Sequence, residues 1–193
     1  VGTDASWRCM TLPMWDPEAA KRGPALDYIE DYDARREPEG WTAREFSETD
    51  SDPWKHARPA PNADVEWSGY QPRPTPLIRR QTRMPVSFRA WRAPDAGAEM
   101  PEDISPHADR ESLAAVGDTA PFSVDALNDA LPEANAFTFE LSKEYTGFPT
   151  IDVAAPAGVV IEISTTERLK DERPLVYRWE TTFSTRYVTR EGR

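Results

Sequence analysis

The sequence predicts an all-β protein: parts of two jelly-roll-like β-sandwich modules, with long loops and one or two short helices. Three observations lead there. Residues 137–193 carry short runs that alternate apolar and polar, or are rich in β-branched side chains, with turn signals between them. Nineteen prolines and nine glycines in 193 residues interrupt the chain too often for long helices. No segment is long enough for a helical bundle.

The elements follow in chain order. Trp7-Arg8-Cys9 reads as a strand, with Cys9 as a small buried hydrophobe. Asp16 to Gly23 reads as one or two helical turns, with Asp16 as N-cap, Pro17 in the first position and Gly23 as the stop. Gln71 to Pro76 must be extended, because proline fixes φ and biases the residue before it. The stretch from Ser68 to Pro94 has no acidic residue and holds Arg73, Arg79, Arg80, Arg83, Arg89 and Arg92. It reads as a linker strand lying against the acidic remainder, or as a patch for an anionic ligand. Residues 95–136 read as a long acidic excursion, with short helical turns near 109–116 and 123–131 and with Asn128 and Asn135 as ordinary loop residues.

Strands are then predicted at Phe137–Leu141, Thr150–Val153 and Val159–Ile163, the last reached through the turn Ala155-Pro156-Ala157-Gly158. Leu175–Trp179 and Thr185–Thr189 complete the set.

Charge and composition narrow the function classes. The formal charge of −11 repels phosphate backbones, so no nucleic-acid partner is expected. No apolar run reaches the roughly 18 residues of a membrane span, so no membrane partner is expected either. No signal-peptide pattern opens the stretch; the compartment stays open, with periplasm or secretion favoured. One cysteine can make neither an internal disulfide nor a thiolate zinc site. His56 and His107 are the only histidines, which removes most triad and His-based metal chemistry.

Two stretches share an order of motifs. The first runs Thr3-Asp4-Ala5-Ser6-Trp7-Arg8, Glu30-Asp31-Tyr32-Asp33-Ala34-Arg35, Gly40-Trp41, Phe46 and Trp54-Lys55-His56-Ala57. The second runs Leu141 to Pro149, then Gly158 to Ile163 with Glu167-Arg168-Leu169, then Arg186 to Arg193. Together they resemble the bacterial α-L-rhamnosidases of glycoside hydrolase family 78. The resemblance touches roughly half of the chain and rests on serial order.

It implies that 1–74 is the C-terminal part of an accessory, carbohydrate-binding-like β-sandwich. It implies that 75–193 is a concanavalin-like sandwich, incomplete at its C-terminal end. The chain then reads as an internal slice of a longer inverting hydrolase that removes terminal α-L-rhamnose from polysaccharides, oligosaccharides or glycosides. In that family the catalytic carboxylates stand in a downstream helical barrel, so no catalytic residue is assigned here. The implied partners are a rhamnose-containing glycan and the remaining domains of the same enzyme. The alternative is a stand-alone carbohydrate-binding or surface-adhesion module without hydrolytic activity. A sandwich lacking strands exposes edges, so the isolated chain is expected not to be independently stable.

The candidate substrate contacts are Glu30, Asp33, Arg35, Trp15 and Trp67. Carboxylates accept from sugar hydroxyls or ligate Ca²⁺, and a guanidinium donates in a fixed fork. The structural reading of Asp33 and Arg35 is a buried pair that fixes a loop. No cofactor is expected; Ca²⁺ stays open through the acid density of Asp27–Asp33, although no EF-hand loop is present. Trp15 and Trp67 lie in loop-like sequence suited to ligand stacking, whereas the resemblance implies core positions for Trp7 and Trp41.

Overall fold

The computed structural model describes residues 4–19, 28–47, 53–58, 73–77, 79–93, 113–170, 173–174, 177–178, 181–182 and 184–191. The protein is mainly β. Its strands are β1 (Arg8–Cys9), β2 (Asp31–Asp33), β3 (Lys55–His56), β4 (Ser87–Arg92), β5 (Ala114–Ala115) and β6 (Ala120–Pro121). Helix α1 (Val124–Ala130) follows, then β7 (Ala136–Glu140) and β8 (Val160–Ser164). The series closes with β9 (Leu169–Lys170), β10 (Arg173–Pro174), β11 (Tyr177–Arg178), β12 (Thr181–Thr182) and β13 (Ser184–Val188). Two compact units form. One comprises Val1–Pro13 with Arg36–Gln81, the other Met14–Arg35 with Thr82–Arg193.

In the first unit β1 pairs antiparallel with β3, Cys9 opposite Lys55. Asp4 closes a local turn by accepting from the Ser6 amide at 2.8 Å, and the Trp7 amide donates to the Asp4 carbonyl. The Arg8 guanidinium donates to the Trp54 carbonyl at 2.9 Å, tying the two strands together. The strand at Cys9 is as expected, but the thiol is exposed. Trp7 is also exposed, against the expectation of a core position. A two-residue pair is too narrow to cover either side chain.

The second unit holds a sheet centred on β4. β7 runs antiparallel along one edge, from Ser87 opposite Glu140 to Trp91 opposite Ala136. β5 and β6 pair with the two ends of the other edge. Residues 87–92 are thus the middle of a sheet, which corrects the linker reading of the arginine-rich stretch. The alternation is visible in the sequence: Phe88 and Ala90 are buried on one face, while Ser87 and Arg89 point to the other. Trp91 breaks the pattern. It is buried on the polar face, where its indole N–H donates to Thr138 Oγ1 at 3.0 Å and the Arg89 guanidinium lies 4.7 Å from its ring centre.

The core of this sheet is the apolar face of β4 and β7. Phe88, Ala90 and Ala134 are buried there, against Phe122, Phe137 and the α1 side chains Ala126, Leu127 and Ala130. Residues 126, 127 and 130 share one stripe of the helix. Ser123 caps α1 as its side chain accepts from the Ala126 amide at 3.1 Å. Asn135 is more than a loop residue. Its amide group accepts from the Ala93 N–H at 2.6 Å and donates to the Ala93 carbonyl at 3.1 Å, stitching the end of β4.

The other sheet has the order β2, β13, β8. β13 is antiparallel to β8 and parallel to β2, with Tyr187 facing Ile161 on one side and Tyr32 on the other. The expected turn before β8 is present, with Gly158 at φ +87°, a conformation that favours glycine. Buried Thr189 holds it: its hydroxyl donates to the Pro156 carbonyl and accepts from the Val159 amide, while its carbonyl accepts from Gly158.

Other expectations are corrected. Thr150–Val153 forms no strand. Asp16–Ala19 is a turn in which the Asp16 carboxylate accepts from the Glu18 amide at 2.9 Å; residues 20–23 of the expected helix lie outside the described residues. Ala114 and Ala115 are strand, while 109–112 lie outside.

Candidate functional site

The site is built where the N-terminal segment meets the last strand. Trp15 bridges to Tyr32, Tyr32 is in register with Tyr187, and Tyr187 with Ile161. Residues directly paired across strands share a face. A single transverse row therefore crosses four backbone segments: Trp15, Tyr32, Tyr187, Ile161. The Trp15 ring meets Tyr32 edge-on, with centroids 4.8 Å apart and planes at 77°. Tyr32 and Tyr187 stack 5.6 Å apart with planes 5° from parallel. Trp15 is 40% and Tyr187 38% exposed, so the two ends of the aromatic trio are open to solvent.

The opposite face carries charge. Asp31 is in register with Arg186, and the Arg186 Nε donates to Asp31 Oδ1 at 2.9 Å while its Nη2 donates to Oδ2. Asp31 is buried and the Arg186 side chain is 18% exposed. The two ends of this fork are 155 residues apart in the chain. Beside it, the Ser184 and Ser164 hydroxyls are 2.6 Å apart. The Asp31–Arg186 pairing joins β2 to β13 on the face opposite the aromatic row.

Asp33 and Arg35 do pair. The Arg35 Nε and Nη2 each donate to the carboxylate at 2.8 Å, and the Arg35 amide donates to Oδ1 at 3.1 Å. Hydrogen bonding to Asp33, then its charge, holds the guanidinium above its ordinary pKa. The expected burial is corrected, because the Arg35 side chain is 52% exposed. A Cβ on Gly158 would lie 3.6 Å from Arg35 Nη1, so the pair stands at the turn before β8. Glu30 is exposed, and its carbonyl accepts from the Arg186 amide at 2.8 Å. Trp67 lies outside the described residues.

Of the candidates, the structure brings Trp15 to the aromatic row and joins Asp33 to Arg35. It adds Tyr32, Tyr187, Asp31 and Arg186, which the sequence reading did not single out as site residues. The signal for the tyrosines was that each stands in one of the two motif stretches. Nothing in either stretch alone indicated that they meet.

Among the described residues no group of three or more His, Cys, Asp or Glu side chains is placed to hold a metal ion. No helix among them is long and apolar enough to cross a membrane. The first unit has an open cavity of about 350 Å³ lined by Cys9, Met10, Thr11, Pro53 and Lys55. Comparison of the chain with protein-family models, with curated proteins and with solved structures finds no match.

Proposed function

We propose that this chain is a non-catalytic, glycan-contacting part of an α-L-rhamnosidase-like glycoside hydrolase, its sheets belonging to jelly-roll-like sandwiches. The observation that carries the glycan contact is the half-open row Trp15–Tyr32–Tyr187. A sugar ring presents C–H groups on one face and hydroxyls at its rim. An aromatic platform takes the first and nearby polar groups the second. The parent enzyme, its substrate rhamnose and the downstream barrel come from the motif order alone. No cofactor takes part in this reading. Asp31 and Asp33 are committed to Arg186 and Arg35, which leaves them poor calcium ligands.

The test is calorimetric titration of the polypeptide with L-rhamnose and a rhamnose-containing oligosaccharide, with and without EDTA. Binding is expected to survive EDTA and to weaken about ten-fold in Trp15→Ala, the effect of losing about 1.4 kcal/mol of contact. Rhamnose release from an aryl α-L-rhamnoside by the longest natural polypeptide that contains the chain tests the parent activity. Binding without release would instead favour the stand-alone module. No binding to any rhamnose-containing glycan would overturn the glycan contact.

A further inference from the structure

The row Trp15–Tyr32–Tyr187–Ile161 has a second row beside it on the same face. Arg186 is in register with Asp31, and the Arg186 amide donates to the Glu30 carbonyl at 2.8 Å. The parallel ladder therefore reaches Glu30 and sets it beside Thr185. Thr185 is in turn paired with Ile163. Side chains two residues apart on a strand share a face. Glu30, Thr185 and Ile163 thus stand one step along the sheet from Tyr32, Tyr187 and Ile161. Burial follows the same alternation: Ile29 and Asp31 are buried, and Glu30 between them is exposed. Glu30 is the one charged residue in the two rows, since Arg186 stands on the opposite face with Asp31.

Both polar members of the second row accept hydrogen bonds. An ionised carboxylate only accepts. The Thr185 hydroxyl donates to the Ile163 carbonyl at 3.5 Å, which leaves its lone pairs as acceptors. Two acceptors on adjacent strands, about 5 Å apart at the backbone, call for two donors. Neighbouring sugar hydroxyls supply them while the C–H face of the ring lies on the aromatic row. A carboxylate or sulfate ester offers acceptors alone and meets a like charge at Glu30.

We propose that Glu30 and Thr185 are the specificity-determining rim of the aromatic row. They take adjacent hydroxyls of an uncharged sugar and turn away a sugar bearing a carboxylate or a sulfate ester. This rests on the glycan reading above and narrows its substrate class to neutral glycans.

The experiment titrates the whole 193-residue polypeptide with two ligands at low and high salt. One is a tetrasaccharide of alternating rhamnose and galacturonic acid, the other its carboxyl-reduced, neutral form. The neutral form is expected to bind about three-fold or more tightly at low salt, and the gap is expected to close at high salt. Glu30→Gln, which keeps the shape of the side chain, should close the gap, and Glu30→Lys should reverse it. Glu144→Lys makes the same change of net charge at an exposed residue outside the two rows and should leave the preference as it is. Thr185→Val should weaken the neutral form about five-fold, the effect of one lost hydrogen bond. Equal binding of the two forms, or the same shift from Glu144→Lys as from Glu30→Lys, would overturn the selection by Glu30 and leave the glycan contact standing. Unchanged binding of the neutral form in Thr185→Val would overturn the acceptor pair. Failure of both tetrasaccharides and of the rhamnose oligosaccharide would overturn the glycan reading as well.

Discussion

Asp31 and Arg186 show how much one pair can carry. Each is the other's partner through two parallel hydrogen bonds in a mostly buried setting. Replacing only the acid leaves a guanidinium without its counter-charge, which costs about 3 kcal/mol for buried pairs. Asp31→Asn is therefore expected to lower hydrogen-exchange protection of the Arg186 amide by about a hundred-fold, with little change at the Leu127 amide in α1. Equal loss at both sites would show that the pair has no local role. Asp4 gives a pH prediction. Its hydrogen bonds to Ser6, side chain first and then backbone, hold its carboxyl below the ordinary value of 3.8. A folded pKa below the unfolded one means the turn's contribution is complete above the unfolded value. It is lost as pH falls through the folded one. A carboxyl carbon titration should place the Asp4 midpoint below 3.8, with the Ser6 amide shift following the same curve.

At the level of elements, local chemistry in the sequence was a good guide where it repeated. Ala136–Glu140 and Val160–Ser164 emerge as strands close to the alternating and β-branched runs that predicted them. The helical turns expected near 123–131 emerge as α1, which the structure shows capped by Ser123. Ser123→Ala is expected to destabilise that helix by about 1 kcal/mol, seen as roughly five-fold faster exchange of the Leu127 amide, whose acceptor is the Ser123 carbonyl. The misses differ in cause. Asp31-Tyr32-Asp33 is three residues long, has two charged residues, and is a strand only because β13 lies beside it. Ser87–Arg92 did carry period-two alternation at Phe88 and Ala90. The surrounding prolines and arginines led the sequence reading to a linker, whereas the segment is a paired strand. The Trp15–Tyr32–Tyr187 row was legible only as separate aromatics, because register across non-adjacent strands is not written in any local window.

Over the whole molecule, the buried apolar side chains among the described residues form small groups rather than one large core. The main one is Phe88, Ala90 and Ala134 with its neighbours. Phe148 and Leu77 stand almost fully exposed, and Ile151 and Val153 are exposed too. Burial on this scale offsets little of the conformational entropy of the described residues. Urea unfolding of the 193-residue polypeptide is expected to be broad, with stability below about 5 kcal/mol; a sharp, coincident transition by fluorescence and circular dichroism above that value would contradict it. The parallel pairing of β2 with β13 also sets an order of events during synthesis. A ribosome adding about 5–20 residues per second needs roughly 8–30 s to travel from Asp31 to Arg186, 155 residues later. For that time Asp31 lacks the Arg186 guanidinium and Tyr32 lacks the Tyr187 ring on which it stacks. Strand β2 is thus translated early in this stretch and completes its pairing only after β13 has been made.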